Sequence, residues 1–287
     1  MIAFVKHVLK IILVLILCAY TLDFCFTYVY KNTSPQNKAQ YINSLKNQKF
    51  DYIFIGSSRV ENSVIAEEIE KQTNKKTINL GVQGATTKDL VFVTNLLKNL
   101  NVDYNKVFFQ LDYKINDRNE FSKKFQTELF PFLGTNEIID SYVFNNCKDK
   151  TAIKYMPFYK YNVASHNLGL RNIILTVFNF KLKINENNGY IPLYGSGKMN
   201  TELLPKFNAK NQYLDKLITT KNAVFFSCPL YSSININNYF YDLKRTLPAL
   251  NDFSNSIKKK EFFKDSYHLN NNGSVAFTNI LIEKLKL

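Results

Sequence analysis

The chain has 287 residues, enough for one full-size domain with an anchor or for two small domains, and its 46% hydrophobic and 15% aromatic content excludes a disordered chain. Lysine and arginine outnumber aspartate and glutamate by 37 to 23, a basic excess that first suggests a nucleic-acid binder. The lysines, however, are spread along the chain among many asparagines, a pairing that AT-rich coding favours by itself. If the basic surface is functional, an anionic envelope polymer or lipid surface fits it better than base readout, and no nucleic-acid partner is expected.

Residues 8–30 are almost wholly apolar, with Lys10 near one end and Asp23 towards the other. Roughly 20 helical residues cross a bilayer core, and this stretch reaches that length if Asp23 lies near the far interface. The apolar region of a secretory signal is shorter and ends in a small-residue cleavage site. No A-x-A pattern follows here, so residues 1–31 read as an uncleaved, single-pass transmembrane signal anchor. Lys6 and Lys10 precede the span, which keeps the N-terminus cytoplasmic and sends the remainder outward; Lys31 and Lys38, just behind it, pull the other way. Tyr28 and Tyr30 suit the interfacial aromatic belt. A later apolar run, residues 173–180, is too short for a second span.

Residues 32–50 are polar, carry Pro35, and read as a stalk or first helix. Residues 51–55 have the apolar run of a buried strand and end at Gly56-Ser57-Ser58. A helical pattern over 64–72 leads to a short strand at 77–80, then to Gly81-Val82-Gln83-Gly84. Residues 88–100 are helical in pattern and 106–111 form a third strand; residues 223–226 form another strand, and 274–287 close the chain as a helix. Residues 116–207 interrupt the alternation with an aromatic and lysine-rich stretch, read as a largely helical insertion covering the strand ends. Strands alternating with helices imply an α/β fold, a three-layer α/β/α domain over 51–287 with a parallel sheet. Ligands of such sheets bind beyond the carboxyl ends of the strands, where Gly56 to Ser58, Gly81 to Gly84 and Asp112 onward all fall.

Three histidines narrow the search for chemistry. His7 is in the anchor, and His166 has no acid nearby. His268 stands in Asp265-Ser266-Tyr267-His268-Leu269-Asn270, just before the final helix. A carboxylate three residues ahead of a histidine can reach the inner ring nitrogen and hold the tautomer that accepts a proton from a nucleophile. Equally, Asp265 could cap the turn and leave His268 a surface residue. Ser58, at the end of a buried strand, is placed either as a nucleophile beside backbone N–H groups or as an ordinary helix cap. No G-x-S-x-G occurs, so the nucleophile-elbow class is unsupported. Gly84 either offers an unobstructed N–H or permits a turn. Four cysteines, Cys18, Cys25, Cys147 and Cys228, form no CxxC or Cys/His cluster, so neither metal nor cofactor is expected. Pairing of Cys147 with Cys228 outside the cytoplasm stays open. Gly195-Ser196-Gly197-Lys198 is no phosphate loop, because Pro192 stands where the first glycine belongs and Met199 replaces the Ser/Thr.

Taken together, strand–Gly56-Ser57-Ser58-Arg59, strand–Asn79-Leu80-Gly81-Val82-Gln83-Gly84 and Asp265-Ser266-Tyr267-His268 resemble three blocks of the SGNH (GDSL-like) hydrolase family, with Ser57 in place of the frequent aspartate. The resemblance implies a flavodoxin-like sheet, a catalytic set of Ser58, Asp265 and His268, and an oxyanion hole from the Ser58 N–H, the Gly84 N–H and Asn116. The third block departs. Asn116-Asp117 has the family's letters but sits late and lacks the preceding glycine, so either the loop brings Asn116 in or that donor is missing. Losing such a donor costs roughly 10²–10³ in rate. Membrane-anchored relatives with this first block resemble accessory proteins of envelope O-acylation. They imply an esterase or O-acyltransferase working through an acyl-serine on acylated carbohydrate or cell-envelope polymer, beside a multi-spanning O-acyltransferase. The alternative is a partner protein of such an acyltransferase that kept the fold and lost efficient chemistry.

Overall fold

The structure is a computed structural model that describes residues 1–116, 120–178, 184–199, 207, 211–231 and 239–287. Five parallel strands make one sheet: β1 (Lys49–Gly56), β2 (Thr77–Gly81), β3 (Asp103–Gln110), β4 (Ala223–Phe226) and β5 (Leu250–Asn251). Their spatial order is β2-β1-β3-β4-β5, the doubly wound order whose switch point falls between β1 and β3. Successive residues of a strand point to opposite faces, and here both faces are apolar. Ile53, Ile55, Val107, Phe109 and Phe225 enter one core, while Tyr52, Phe54, Phe108 and Phe226 enter the other. Such unbroken apolar runs suit a parallel sheet covered on both sides.

The helices supply the covers. On the first face lie α2 (Lys38–Asn43) and α5 (Thr87–Asn99), the latter burying Leu90, Val93, Leu96 and Leu97. On the second, the short α3 (Ser58–Glu61) contributes Val60, α4 (Ala66–Thr73) contributes Ile69, and the C-terminal helix Asn271–Leu285 contributes Phe277 and Leu281. Thr86 opens α5 with a capping box, its side chain accepting from the third helical amide while Asp89 accepts from the Thr86 N–H at 2.7 Å.

Between β3 and β4 the chain forms a run of short helices, α6 (Lys123–Glu128), α7 (Glu137–Asn145), α8 (Lys150–Tyr155), α9 (Tyr159–Val163), α10 (Ser165–Leu168), α11 (Leu170–Val177) and α12 (Gln212–Ile218). Their buried residues, among them Phe125, Ile139, Tyr161 and Leu168, are continuous with the first core. The helix α13 (Tyr239–Thr246) precedes β5, and the closing helix is α14. β5 has only two residues, too few to raise any alternating or apolar pattern in the sequence.

At the N-terminus α1 (Ile2–Asn32) is long and apolar enough to cross a membrane. Residues 1–18 are exposed, but the last turns are not free: Phe26 and Tyr30 are buried. Phe26 meets the rings of Phe158 and Tyr161 at 4.9 and 5.2 Å, and Asp23 pairs with Lys160 at 2.9 Å while accepting from the Phe158 N–H at 2.8 Å. Behind it, residues 38–42 of α2 are buried, so the polar segment after the anchor packs on the body of the domain.

The second core is centred on Phe54, which is fully buried, stacks on Phe108 at 4.5 Å and meets Phe226 edge-on at 5.9 Å. Phe54→Ala should therefore cost about 3–5 kcal/mol in a denaturant titration of the detergent-solubilised protein. Tyr241→Ala, at an exposed position, should stay within about 0.5 kcal/mol of the parent.

Candidate active site

The loop before α14 is built to aim one ring. Phe263 and Leu269 pair as an isolated antiparallel bridge and are both buried in the second core. Between them the chain turns tightly: the Lys264 N–H donates to the His268 carbonyl at 2.9 Å, and Ser266, buried, accepts from the Tyr231 N–H at 3.1 Å. Asn270 caps α14, its side chain accepting from the Gly273 N–H at 3.0 Å. With both ends pinned, His268 stands out of the turn towards Ser58. Its Nε2 lies 2.8 Å from the Ser58 hydroxyl, and its Nδ1 lies 2.9 and 3.0 Å from the two Asp265 oxygens. Asp265 is itself held by the N–H groups of Tyr267 and His268, at 2.8 and 2.9 Å. Partial burial works to raise the Asp265 carboxyl, but the hydrogen bond and charge of His268, with those two amides, outweigh it and hold it below the usual carboxylate range.

A segment that carried no signal in the sequence steadies this loop. The Gly197 N–H donates to the Lys264 carbonyl at 2.6 Å, Lys264 reaches back to the Tyr194 carbonyl at 2.9 Å, and the Asn271 N–H meets the Leu193 carbonyl at 2.6 Å. Gly195 to Gly197, set aside as a phosphate loop, is thus a clasp on the histidine turn.

Ser58 is the first residue of α3, directly after β1, with Ser57 capping the turn by accepting from the Arg59 N–H. Gly56 has no room for a side chain, since a Cβ there would fall 2.3 Å from Val60 and 2.7 Å from Gln110. The strand end is braced from below. Gln110 accepts from the Ser57 N–H and hydroxyl at 3.0 and 2.9 Å and donates to Asp112 at 2.9 Å. Asp112 lies 3.6 Å from Arg59, which also donates to the carbonyls of Cys228 and Pro229. All four side chains are buried. None of Gln110, Asp112 or Arg59 was singled out as a site residue from the sequence, because a lone Gln or Asp after a strand has no spacing that marks it.

The second glycine block lies on the neighbouring strand. Gly56 pairs in register with Gly81, so Ser58 and Gly84 leave the same edge two and three residues further on. Asn79, fully buried, binds the two segments by donating to the Val60 and Val64 carbonyls, both at 2.7 Å, and accepting from the Gly81 N–H at 2.9 Å. Gly84 takes a left-handed conformation, φ +69°, which favours glycine. Among the described residues, neither the Ser58 nor the Gly84 amide donates to another backbone group. Asn116 ends a 3₁₀ turn, Tyr113–Asn116, but its side chain, with all of Asp117, lies outside the described residues.

Around this edge, a broad recess of about 920 Å³ between α5, α7 and α12, lined by Lys88, Asn95, Tyr142 and Tyr213 among others, contains none of Ser58, Asp265 or His268. Ser58 and His268 are half-buried and open at the surface instead. All four cysteines are free thiols. Cys147 packs against the first core and Cys228 lies in the second, so the sheet separates them and a disulfide between them is excluded. Among the described residues no cluster of His, Cys, Asp and Glu could hold a metal ion.

One buried charge cluster lies beside the Gly84 loop. Lys38, Glu61 and Glu128 line a cavity of about 60 Å³ together with Gln83 and Lys124. Lys38 donates to the Asn79 carbonyl at 3.0 Å and to that of Gly189. Burial pushes Glu128 up to about 7 and Lys38 down to about 8, and it raises Glu61 as well.

The chain matches no protein-family model and no curated protein. Among solved structures, one from Streptococcus pneumonia, described provisionally as a platelet activating factor, aligns over 98% of this chain and 99% of its own. At 13% identity and a TM-score of 0.32, that likeness carries no inference about the site.

The raised Glu128 carboxyl costs nothing below its unfolded value of 4.5, and its penalty grows as pH rises towards about 7. Glu128→Gln should therefore gain stability over the parent by about 3 kcal/mol between about pH 4 and about pH 8. Chemical denaturation at both ends of that range checks it, and an equal difference at the two ends would contradict the assignment.

Proposed function

We propose that the protein is a membrane-anchored serine esterase or O-acyltransferase of the SGNH type. The observation that carries the proposal is the continuous chain from the Ser58 hydroxyl through His268 to Asp265, with contacts of 2.8 and 2.9 Å. Ser58 Oγ attacks an ester carbonyl while His268 Nε2 takes its proton. Asp265 keeps the ring in the accepting tautomer and balances the imidazolium. As the tetrahedral adduct collapses, the C–O bond to the leaving alcohol breaks and His268 returns the proton to that oxygen, leaving an acyl-serine. An acceptor hydroxyl then gives its proton to His268 and takes the acyl group; the acyl–Oγ bond breaks and His268 returns the proton to Ser58 Oγ. Water makes the enzyme an esterase, and a sugar hydroxyl makes it a transferase. The free amides of Ser58 and Gly84, on adjacent strand ends, are the donors assigned to the oxyanion, with Asn116 as the third.

The exposed apolar length of α1 supports a single-pass membrane protein, and Lys6 and Lys10 ahead of it support a cytoplasmic N-terminus with the sheet domain outside. The half-open position of Ser58 suits a bulky acceptor such as an acylated carbohydrate or envelope polymer, with a multi-spanning O-acyltransferase as the protein partner. A second reading, a catalytically weak partner of such an acyltransferase, is favoured by one observation. At the end of β3, Gln110 and the following Asp112 are turned inward to brace Ser57 and Arg59.

A fluorophosphonate probe separates the two. The full chain should label at Ser58, Ser58→Ala should not label, and Asp265→Asn should lose on the order of 10⁴ in turnover of an activated ester while remaining folded. A folded wild type that resists the probe would favour the weak-partner reading.

A further inference from the structure

The helix α11 packs Ile173 against the first core, yet its fully buried positions are polar and most of its outward positions are apolar. Its buried positions carry Asn172 and Thr176, four residues apart on one face, while the opposite face carries Leu170, Ile174 and Val177 at i, i+4 and i+7. Those three are 64%, 46% and 51% exposed. The inward polar groups are satisfied locally, Asn172 donating to the His166 carbonyl at 3.3 Å and Thr176 to the Asn172 carbonyl at 2.7 Å. A helix at an aqueous surface shows the reverse arrangement, and contiguous exposed apolar patches mark a contact with lipid or another protein.

The position of the helix selects between these occupants. α11 packs directly against α1, the one helix among the described residues long and apolar enough to cross a bilayer. The contact face of α1 begins at Ala19 and continues through Asp23, Phe26, Thr27 and Tyr30. Ahead of it, residues 7–22, following Lys6 and with Lys10 extending its side chain back to the headgroups, rise about 24 Å at 1.5 Å per residue, a length that meets a hydrocarbon core of ~30 Å only with Asp23 at its far edge. Asp23, paired with Lys160, therefore falls where the span leaves the core. The neighbouring turns add further exposed apolar side chains on either side of the ring cluster that grips α1. Tyr155 and Met156 come just before Phe158, and Val163 just after Tyr161. Lys154 and Arg171, both exposed, stand among them.

We propose that the outward face of α11, with Tyr155 and Met156, lies in the headgroup region of the bilayer that α1 crosses, as an interfacial helix fixing the sheet domain on the membrane surface. The occupant is lipid: the patch is continuous with the lipid-facing surface of α1, and its apolar side chains alternate with cations as in helices that lie in the interface plane. The inference rests on α1 spanning the bilayer and is independent of the chemistry at Ser58.

The chain has no tryptophan, so a single introduced one reports alone. Full-length Ile174→Trp, Val177→Trp, Leu15→Trp and Tyr241→Trp variants would be reconstituted in vesicles of phosphatidylcholine and phosphatidylglycerol. The phosphatidylcholine would carry bromine either near the headgroup or deep in the acyl chain. The Ile174→Trp and Val177→Trp proteins should show blue-shifted emission that headgroup-proximal bromine quenches most. Leu15→Trp should be quenched most by deep bromine, and Tyr241→Trp should emit as an exposed indole that neither lipid quenches. Unquenched emission from both α11 variants, with Leu15→Trp quenched, overturns the proposal while leaving the span intact; a blue shift without quenching in that case points to a second copy or another protein on the patch. Loss of quenching at Leu15→Trp as well removes the span and the proposal together. Unchanged thermal unfolding of each variant confirms that the folded chain is being read.

Discussion

Ser58 and His268 are 210 positions apart, and a single hydrogen bond joins them. Such a bond nets only about 1 kcal/mol, which does not cover the entropy of holding a side chain in place at the end of a long loop. The histidine turn is positioned by what lies under it. Phe263 and Leu269 are anchored in the second core, Ser266 is held from Tyr231, Asn270 is spent as a helix cap, and the 193–197 segment closes over the outside. Every residue of Asp265-Ser266-Tyr267-His268-Leu269-Asn270 thereby acquires a structural reason, and the ring has one direction left to point. The Ser58–His268 contact follows from the packing and contributes little to it.

On the serine side the same division holds, and it links the two places where the sequence departs from the blocks it resembles. The first block has Ser57 where aspartate is frequent, and the strand of the third block runs into Gln110-Leu111-Asp112 without its glycine. These positions meet. Gln110 takes both donors of Ser57 and passes on to Asp112, which faces Arg59. An aspartate at position 57 would set a carboxylate against the Gln110 acceptor, with Asp112 close by, and would have to lose its charge or its place. The serine is thus matched to the glutamine, and a change at one position calls for a change at the other. The cost is that the β3 end is committed to holding α3 in place.

The parallel sheet was legible because buried strands such as residues 52–55 and 223–226 are unbroken apolar runs and the helices between them keep their period. Ser58, Asp265 and His268 were legible as a group because the three blocks that carry them and Gly84 together resemble one known pattern, although each alone had a structural explanation. What stayed hidden was hidden for physical reasons. β5 is two residues long and is defined by its neighbour alone. Gln110 and Asp112 act through side chains that meet Ser57 and Arg59 only after the sheet forms. The clasp at Gly195 and Gly197 depends on backbone groups, which no residue type announces. Lys38, read from the sequence as a charge flanking the anchor, is instead buried against carbonyls beside the Gly84 loop.

Asp23 is the residue whose meaning changes most between sequence and structure. In the sequence it is an obstacle within an apolar span. In the structure its carboxylate is taken up by Lys160 and the Phe158 amide, and the turns behind it are clamped by Phe158 and Tyr161. If α1 crosses the bilayer, the chain therefore leaves the membrane already packed on its own domain, with no flexible stalk between. A long free linker would let the sheet domain sample many orientations and reach soluble esters equally well. A clamped helix removes that freedom at the cost of ordering a few side chains, and it holds the Ser58 edge in one orientation relative to the helix. For the proposed function, substrates presented at a fixed height above the membrane gain most from such an arrangement, because the search is reduced to movement within the plane.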